Sequence, residues 1–267
     1  LDLLVILLAG LLTAGLTFFS GFGLGTLLMP VFALFFPVEA AIAATAIVHF
    51  ANNLFKLALV GRKADPSVTL RFALPAATMA LVGASLLTRL GEWPAWARYP
   101  LLGSTFEIRP LMVVVAALIA GFAVLELSPQ AQRWAFPARW IPLGGALSGF
   151  FGGLSGHQGA LRSAFLIRVG LERDAYIGTV VVCAVWVDLV RLCVYGFSIQ
   201  SEQLALLQDR HSLLLIATGC LSALAGSLLG ARLLRKATFS SVQRWVGICL
   251  ILFAVAMAAG WLNPVHS

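Results

Sequence analysis

Four ionisable residues, Lys56, Arg162, Asp188 and Arg191, stand within or beside nearly unbroken apolar sequence. A charge at bilayer mid-depth costs at least about 3 kcal/mol on insertion scales, so residues of this kind serve a site, a pair or a route to the surface. Arg162 follows Ser155, Gly156, His157, Gln158 and Gly159 by a few positions. A guanidinium, an amide, a hydroxyl and the free N–H groups of a helix start are the ingredients of an anion site. The competing reading has Arg162 bracing a turn against backbone carbonyls. Asp188 and Arg191, three apart, can pair on one helix face. Lys56 lies about 7.5 Å of helix rise before Gly61 and can snorkel to an interface, as Arg191 can toward the other face. His49, Asn52 and Asn53 precede Lys56 at helical spacing and give one helix a polar stripe that must face protein or water. His49 reads as a satisfied interior histidine or as a proton carrier.

Two Gly-rich breaks must position these groups. The first is Ser20-Gly21-Phe22-Gly23-Leu24-Gly25 and the second runs from Gly152 to Gly159. Adding 135 lays Ser20 on Ser155, Gly21 on Gly156, Glu39 on Asp174, Asn53 on Asp188, Lys56 on Arg191 and Gly61 on Gly196. Further on, Leu81, Gly83, Leu86, Arg89 and Leu90 match Leu224, Gly226, Leu229, Arg232 and Leu233 at a shift of 143. The chain therefore reads as duplicated, and paired breaks at matching places of two membrane halves point to a transporter's substrate site, where unwound backbone exposes polar groups. On the first break Ser20, Gly21 and Gly23 are the candidates. Phe22, Gly23 and Leu27 stand where the second has His157, Gln158 and Arg162, so the expected site is lopsided.

With 60% apolar residues, 11% charged and a mean hydropathy of +0.96, the chain lacks the polar material to cover a water-soluble surface. Apolar stretches at 3–19, 40–60, 70–87, 111–127, 175–197, 213–234 and 246–262 approach the ~20 residues of a span. Shorter pieces at 24–36, 141–154 and 160–169 read as arms of hairpins. Residues 1–127 form the first repeat, 128–140 a Pro-interrupted linker and 141–267 the second. Residues 1–19 read as the start of a repeat and not as a cleaved signal peptide. In the ten-element arrangement one face carries Arg62, Lys63, Arg71, Arg133, Arg139, Arg168, Arg173, Arg232, Arg235, Lys236 and Arg244, and the other Arg89, Arg98, Arg109 and Arg210. An eight-span arrangement, with each break a mere kink, spreads the charge more evenly. The positive-inside rule prefers the first, with both termini outside the cytoplasm.

Cys183, Cys193, Cys220 and Cys249 lack metal-ligand or disulfide spacing, and no catalytic motif occurs. No cofactor and no metal are expected. The net charge of +7 fits basic loops on one membrane face and not a nucleic-acid partner.

The run S-G-F-G-L-G-T-L-L-M-P at residues 20–30, the Ala-rich segment ending in Asn, Lys and Gly, and G-A-L-S-G-F-F-G-G-L-S-G-H-Q-G at 145–159 resemble the TauE/SafE family of membrane permeases. The resemblance covers nearly the whole chain; Leu24 and Thr26 interrupt a first break that is often richer in glycine in that family. It implies two homologous halves and movement of sulfite, sulfonates or related small anions. The expectation is an all-α integral membrane protein of two inverted repeats of about five helical elements each, with Gly-broken hairpins, in the cell (inner) membrane. Its partners are a small anion and the lipid bilayer, and a homodimer is compatible with the pattern. A passive channel for small solutes and, third, an intramembrane enzyme built on His49 or His157 with Asp188 remain the alternatives.

Overall fold

The computed structural model describes residues 1–17, 24–101, 103–198, 201–233 and 240–262. Ser20, Gly21, Phe22 and Gly23, the larger part of the first break, lie outside the described residues, and its Leu24 and Gly25 begin the second helix. The helices are α1 (Asp2–Thr17), α2 (Leu24–Phe32), α3 (Val38–Val60), α4 (Pro66–Gly91), α5 (Pro110–Leu127), α6 (Ile141–Ser155), α7 (Gly159–Leu166), α8 (Arg173–Ser198), α9 (Ser201–Gln208), α10 (Arg210–Leu233) and α11 (Ser240–Ala258). Five of them, α3, α4, α5, α8 and α10, are long and apolar enough to cross a membrane, and α1 and α11 are shorter apolar helices. The chain is an all-α multi-pass membrane protein. Each of the ten apolar pieces expected from the sequence contains a helix among the described residues, and α9 is an addition. So is the antiparallel pair β1 (Ala97–Leu101) and β2 (Ser104–Ile108), whose turn needs the positive φ of Gly103.

Local chemistry sets the boundaries. Asp65 caps α4, its Oδ1 accepting the Val68 N–H at 2.8 Å, with Pro66 next. Pro110 opens α5 in the same manner. Gly156, at φ +84°, ends α6 in the left-handed conformation, and its N–H donates to the Gly152 carbonyl at 3.0 Å. The chain then reverses through His157 and Gln158 into α7, so the second break is the tip of a helical hairpin and not a kink in one helix.

Small residues decide which helices meet. The closest pairings are α4 with α6 and α1 with α10. A Cβ at Gly145, Gly149 or Gly153 would collide with the carbonyl of Phe72, Ala76 or Ala80, so three turns of α6 lie directly on the α4 backbone. Gly226 and Gly230 stand likewise against the backbone of Leu11 and Gly15. In both pairs the contact positions rise together along the two helices, which are therefore parallel. The pair α3 and α8 is antiparallel, with Asn53 meeting Asp188 and Lys63 meeting Asp174. So is α5 with α11, where Gly247 meets Leu127 and Gly260 meets Glu107 beyond the helix ends.

The outer surface is apolar, with Leu4, Leu12, Leu70, Leu74, Leu81, Leu221 and Leu252 all exposed. Trp93, Trp96 and Trp261 gather at one end of α5 and α11 and Trp134, Trp140 and Trp245 at the other, all exposed. Two such groups suit the two membrane–water interfaces.

Candidate functional site

Where α3, α7 and α8 meet, an apolar protein buries a polar network. Asp188, fully buried on α8, is its centre. His49 Nδ1 lies 2.7 Å from Asp188 Oδ2, and Asn53 Nδ2 donates to the same oxygen at 3.0 Å. Oδ1 accepts from Gln158 Nε2 at 3.1 Å and pairs with Arg191 Nη2 at 2.7 Å. The carboxylate is thus engaged by three hydrogen-bonding side chains and one ion pair, which leaves its two oxygens little spare capacity. Because Asn53 Nδ2 donates to that oxygen, its 3.0 Å approach to His49 Nδ1 follows from two donors sharing one acceptor.

The hairpin tip closes the network from the side. Gln158 Oε1 accepts from Arg162 Nη1 at 3.0 Å, and the Gln158 carbonyl accepts from Ser148 Oγ at 3.0 Å. Arg191 Nη1 donates to the Gly152 carbonyl at 3.3 Å, and the Tyr195 hydroxyl donates to that of Gly153. His157 Nδ1 sits 3.0 Å from Ser155 Oγ, and its ring stacks on Phe122 with centroids 5.2 Å apart. On the far side Ser227 Oγ donates to Asn52 Oδ1 at 2.8 Å, tying α10 to α3. The start of α2 reaches the same place: a Cβ on Gly25 would lie 3.3 Å from the Gly156 carbonyl. The α2 segment that follows the first break therefore abuts the tip of the second.

Charge is unbalanced here. Arg162 is 8% exposed and Arg191 1%, and the network holds one buried carboxylate, Asp188, so among its described residues two cations face one anion. Arg191 uses that carboxylate directly. No described carboxylate lies within ion-pair distance of Arg162, whose Nε has no hydrogen-bond partner. His157 Nε2 is likewise buried without one. Lys56, half-buried one turn beyond Asn53, is near enough for Arg162 to act on it electrostatically.

Of the residues singled out from the sequence, His49, Asn53, Gln158, Arg162, Asp188 and Arg191 form one connected set. Asn52, Ser155, Gly156 and His157 flank it. Arg191 points inward and does not snorkel. Ser148, Tyr195, Ser227 and Phe122 were not anticipated; Tyr195 had a signal, one turn beyond Arg191 on the same helix face. A separate pocket of about 170 Å³ opens among Phe122, Leu125, Trp134, Leu161 and Ile167, apolar apart from Glu126 and Ser163. The charged network does not line it.

A family model described as Sulfite exporter TauE/SafE matches residues 6–258. No curated protein and no solved structure matches the chain.

Proposed function

The chain belongs to the sulfite exporter TauE/SafE family, a family of membrane transporters, and we propose that it exports or exchanges small sulfur-containing or organic anions such as sulfite, sulfoacetate or other sulfonates. The observation that carries this reading is the buried positive charge of Arg162, beside a hairpin tip and without a carboxylate of its own. Such a charge is costly unless something neutralises it. An oxyanion does so, accepting from the Arg162 fork while His157, Gln158 and Ser155 orient its oxygens and Asn52 and Asn53 complete the wall across from them. With the cell interior negative, an anion that leaves without a companion ion gains about 2.3 kcal/mol per charge per 100 mV, so export does not require a coupling ion.

Burial of the network supports a carrier working by alternating access in preference to an open channel, since a pore would keep its polar lining wet. The two-repeat reading has support in the packing: each half's first helix lies parallel on the other half's fourth, and the equivalent helices α3 and α8 are antiparallel, as are α5 and α11. Inverted halves of five elements each, placed in the inner membrane, account for that reciprocity. An enzyme would need a nucleophile on the His49–Asp188 pair, and the described bonds give His49 only Asp188 and Asn53.

The test is a thermal-shift screen of purified protein with sulfite, sulfoacetate, taurine, sulfate and small carboxylates. A ligand at a hundredfold over its Kd stabilises by about 2.7 kcal/mol, which such a screen resolves. At least one sulfur oxyanion should raise the melting temperature of the wild type and leave Arg162→Ala unmoved. A wild type indifferent to all of them contradicts the reading.

A further inference from the structure

We propose that His49 carries a proton with each anion, so that the protein is an anion–proton symporter able to run inward as well as outward. The inference rests on the anion-permease reading above.

Hydrogen-bond arithmetic locates the exchangeable proton. Asp188 already holds hydrogen bonds with His49, Asn53 and Gln158 and an ion pair with Arg191, and a proton added to it would have to displace one of these partners. It therefore stays a carboxylate. His49 Nδ1, at 2.7 Å from Oδ2, must carry its hydrogen, because two acceptors at that distance repel. The nitrogen left to gain and lose a proton is Nε2, which makes no hydrogen bond to the described residues. The side chain of His49 keeps 9% exposure while that of Asp188 has none, so the ring is the part of the pair that can reach water.

Among the described residues, the charged groups around the ring can be named. Asp188 and Arg191 come from α8 and Arg162 from α7, all three acting on His49 electrostatically. On its own helix stands Lys56. Helix α2 brings no charged residue, and from α10 the nearest described polar contact is Ser227 at Asn52. An imidazolium is favoured by Asp188 and opposed by Arg191 and Arg162. An anion held at Arg162 removes part of that opposition, so anion and proton each favour binding of the other, and the coupling is reciprocal. In the cycle Nε2 takes a proton from water on the side where the anion enters and returns it where the anion leaves. A monoanion and one proton cross together with no net charge. The membrane potential that opposes entry of an anion alone then has no effect.

The experiment uses the full chain in liposomes loaded with the pH dye pyranine, clamped at zero potential with potassium and valinomycin, and given a gradient of isethionate. That sulfonate stays ionised throughout the pH range used. Anion uptake is read by ion chromatography and protons by the dye. The expected ratio is near one proton per anion in the wild type, falling toward zero in His49→Gln, whose amide can still donate to Asp188. If that variant does not survive purification, His49→Asn is read in the same way. Wild-type uptake without protons, or an unchanged ratio in the variant, overturns the symport and leaves the permease standing. No wild-type uptake overturns both for sulfonates.

Discussion

At the scale of single residues, the site is built from pairs that the chain could announce locally and pairs it could not. The three-residue spacing of Asp188 and Arg191 foretells their ion pair, because positions i and i+3 share a helix face. Nothing local ties His49 to Asp188, which are 139 positions apart. The repeat shift offered a clue: Asn53 maps on Asp188 at 135, and these two hydrogen-bond to each other. The proposed inverted repeat accounts for this pairing, since two copies of one helix facing each other would bring equivalent positions together. Stability depends on this network. Asp188→Ala strands Arg191 as a buried cation, a change expected to cost about 3–5 kcal/mol. Adding Arg191→Met should return part of that loss, since an apolar pair is tolerated where a lone charge is not. Thermal unfolding in detergent checks it; additive losses in the double variant would refute the coupling.

Among elements, glycines carry the specificity of helix choice. The stripe Gly145, Gly149, Gly153 was visible in the sequence, but as repeated glycine it could equally have marked a flexible hinge. The structure gives it a steric purpose, seating α6 on the α4 backbone. Gly149→Val should destabilise by several kcal/mol, beyond the about 1–3 of ordinary overpacking, because carbonyls cannot move aside as side chains can. Gly121→Ala, with nothing within 4 Å, is the control and should leave the melting temperature unchanged. Gly156→Val has two handicaps, a φ of +84° and Arg191 Nη1 only 2.9 Å from the new Cβ, so it should remove transport while the protein still reaches the membrane. Normalised uptake decides that. The hairpin pair β1–β2 and helix α9 were not legible, since short polar connections lack the apolar periodicity by which helices are read.

For the whole molecule, composition alone gave the membrane class, and the short apolar pieces gave the hairpin at α6 and α7. Which faces of those helices meet was beyond it, because lipid-facing and protein-facing residues are equally apolar here. On the charge bias we propose that the Arg62, Lys63 and Arg71 end faces the cytoplasm and that both termini lie outside. A reporter fused after His266 should therefore be extracytoplasmic, and a cytoplasmic signal would undo the inverted arrangement. The most direct measurement of all is uptake of labelled sulfoacetate into proteoliposomes by wild type, Arg162→Ala and Arg162→Lys, each matched for inserted protein. If the buried guanidinium is the anion's counter-charge, the alanine variant is inactive and the lysine variant recovers part of the rate, keeping charge but losing the planar fork. Wild-type kinetics in Arg162→Ala would make Arg162 a brace for the hairpin and leave the anion site without its cation.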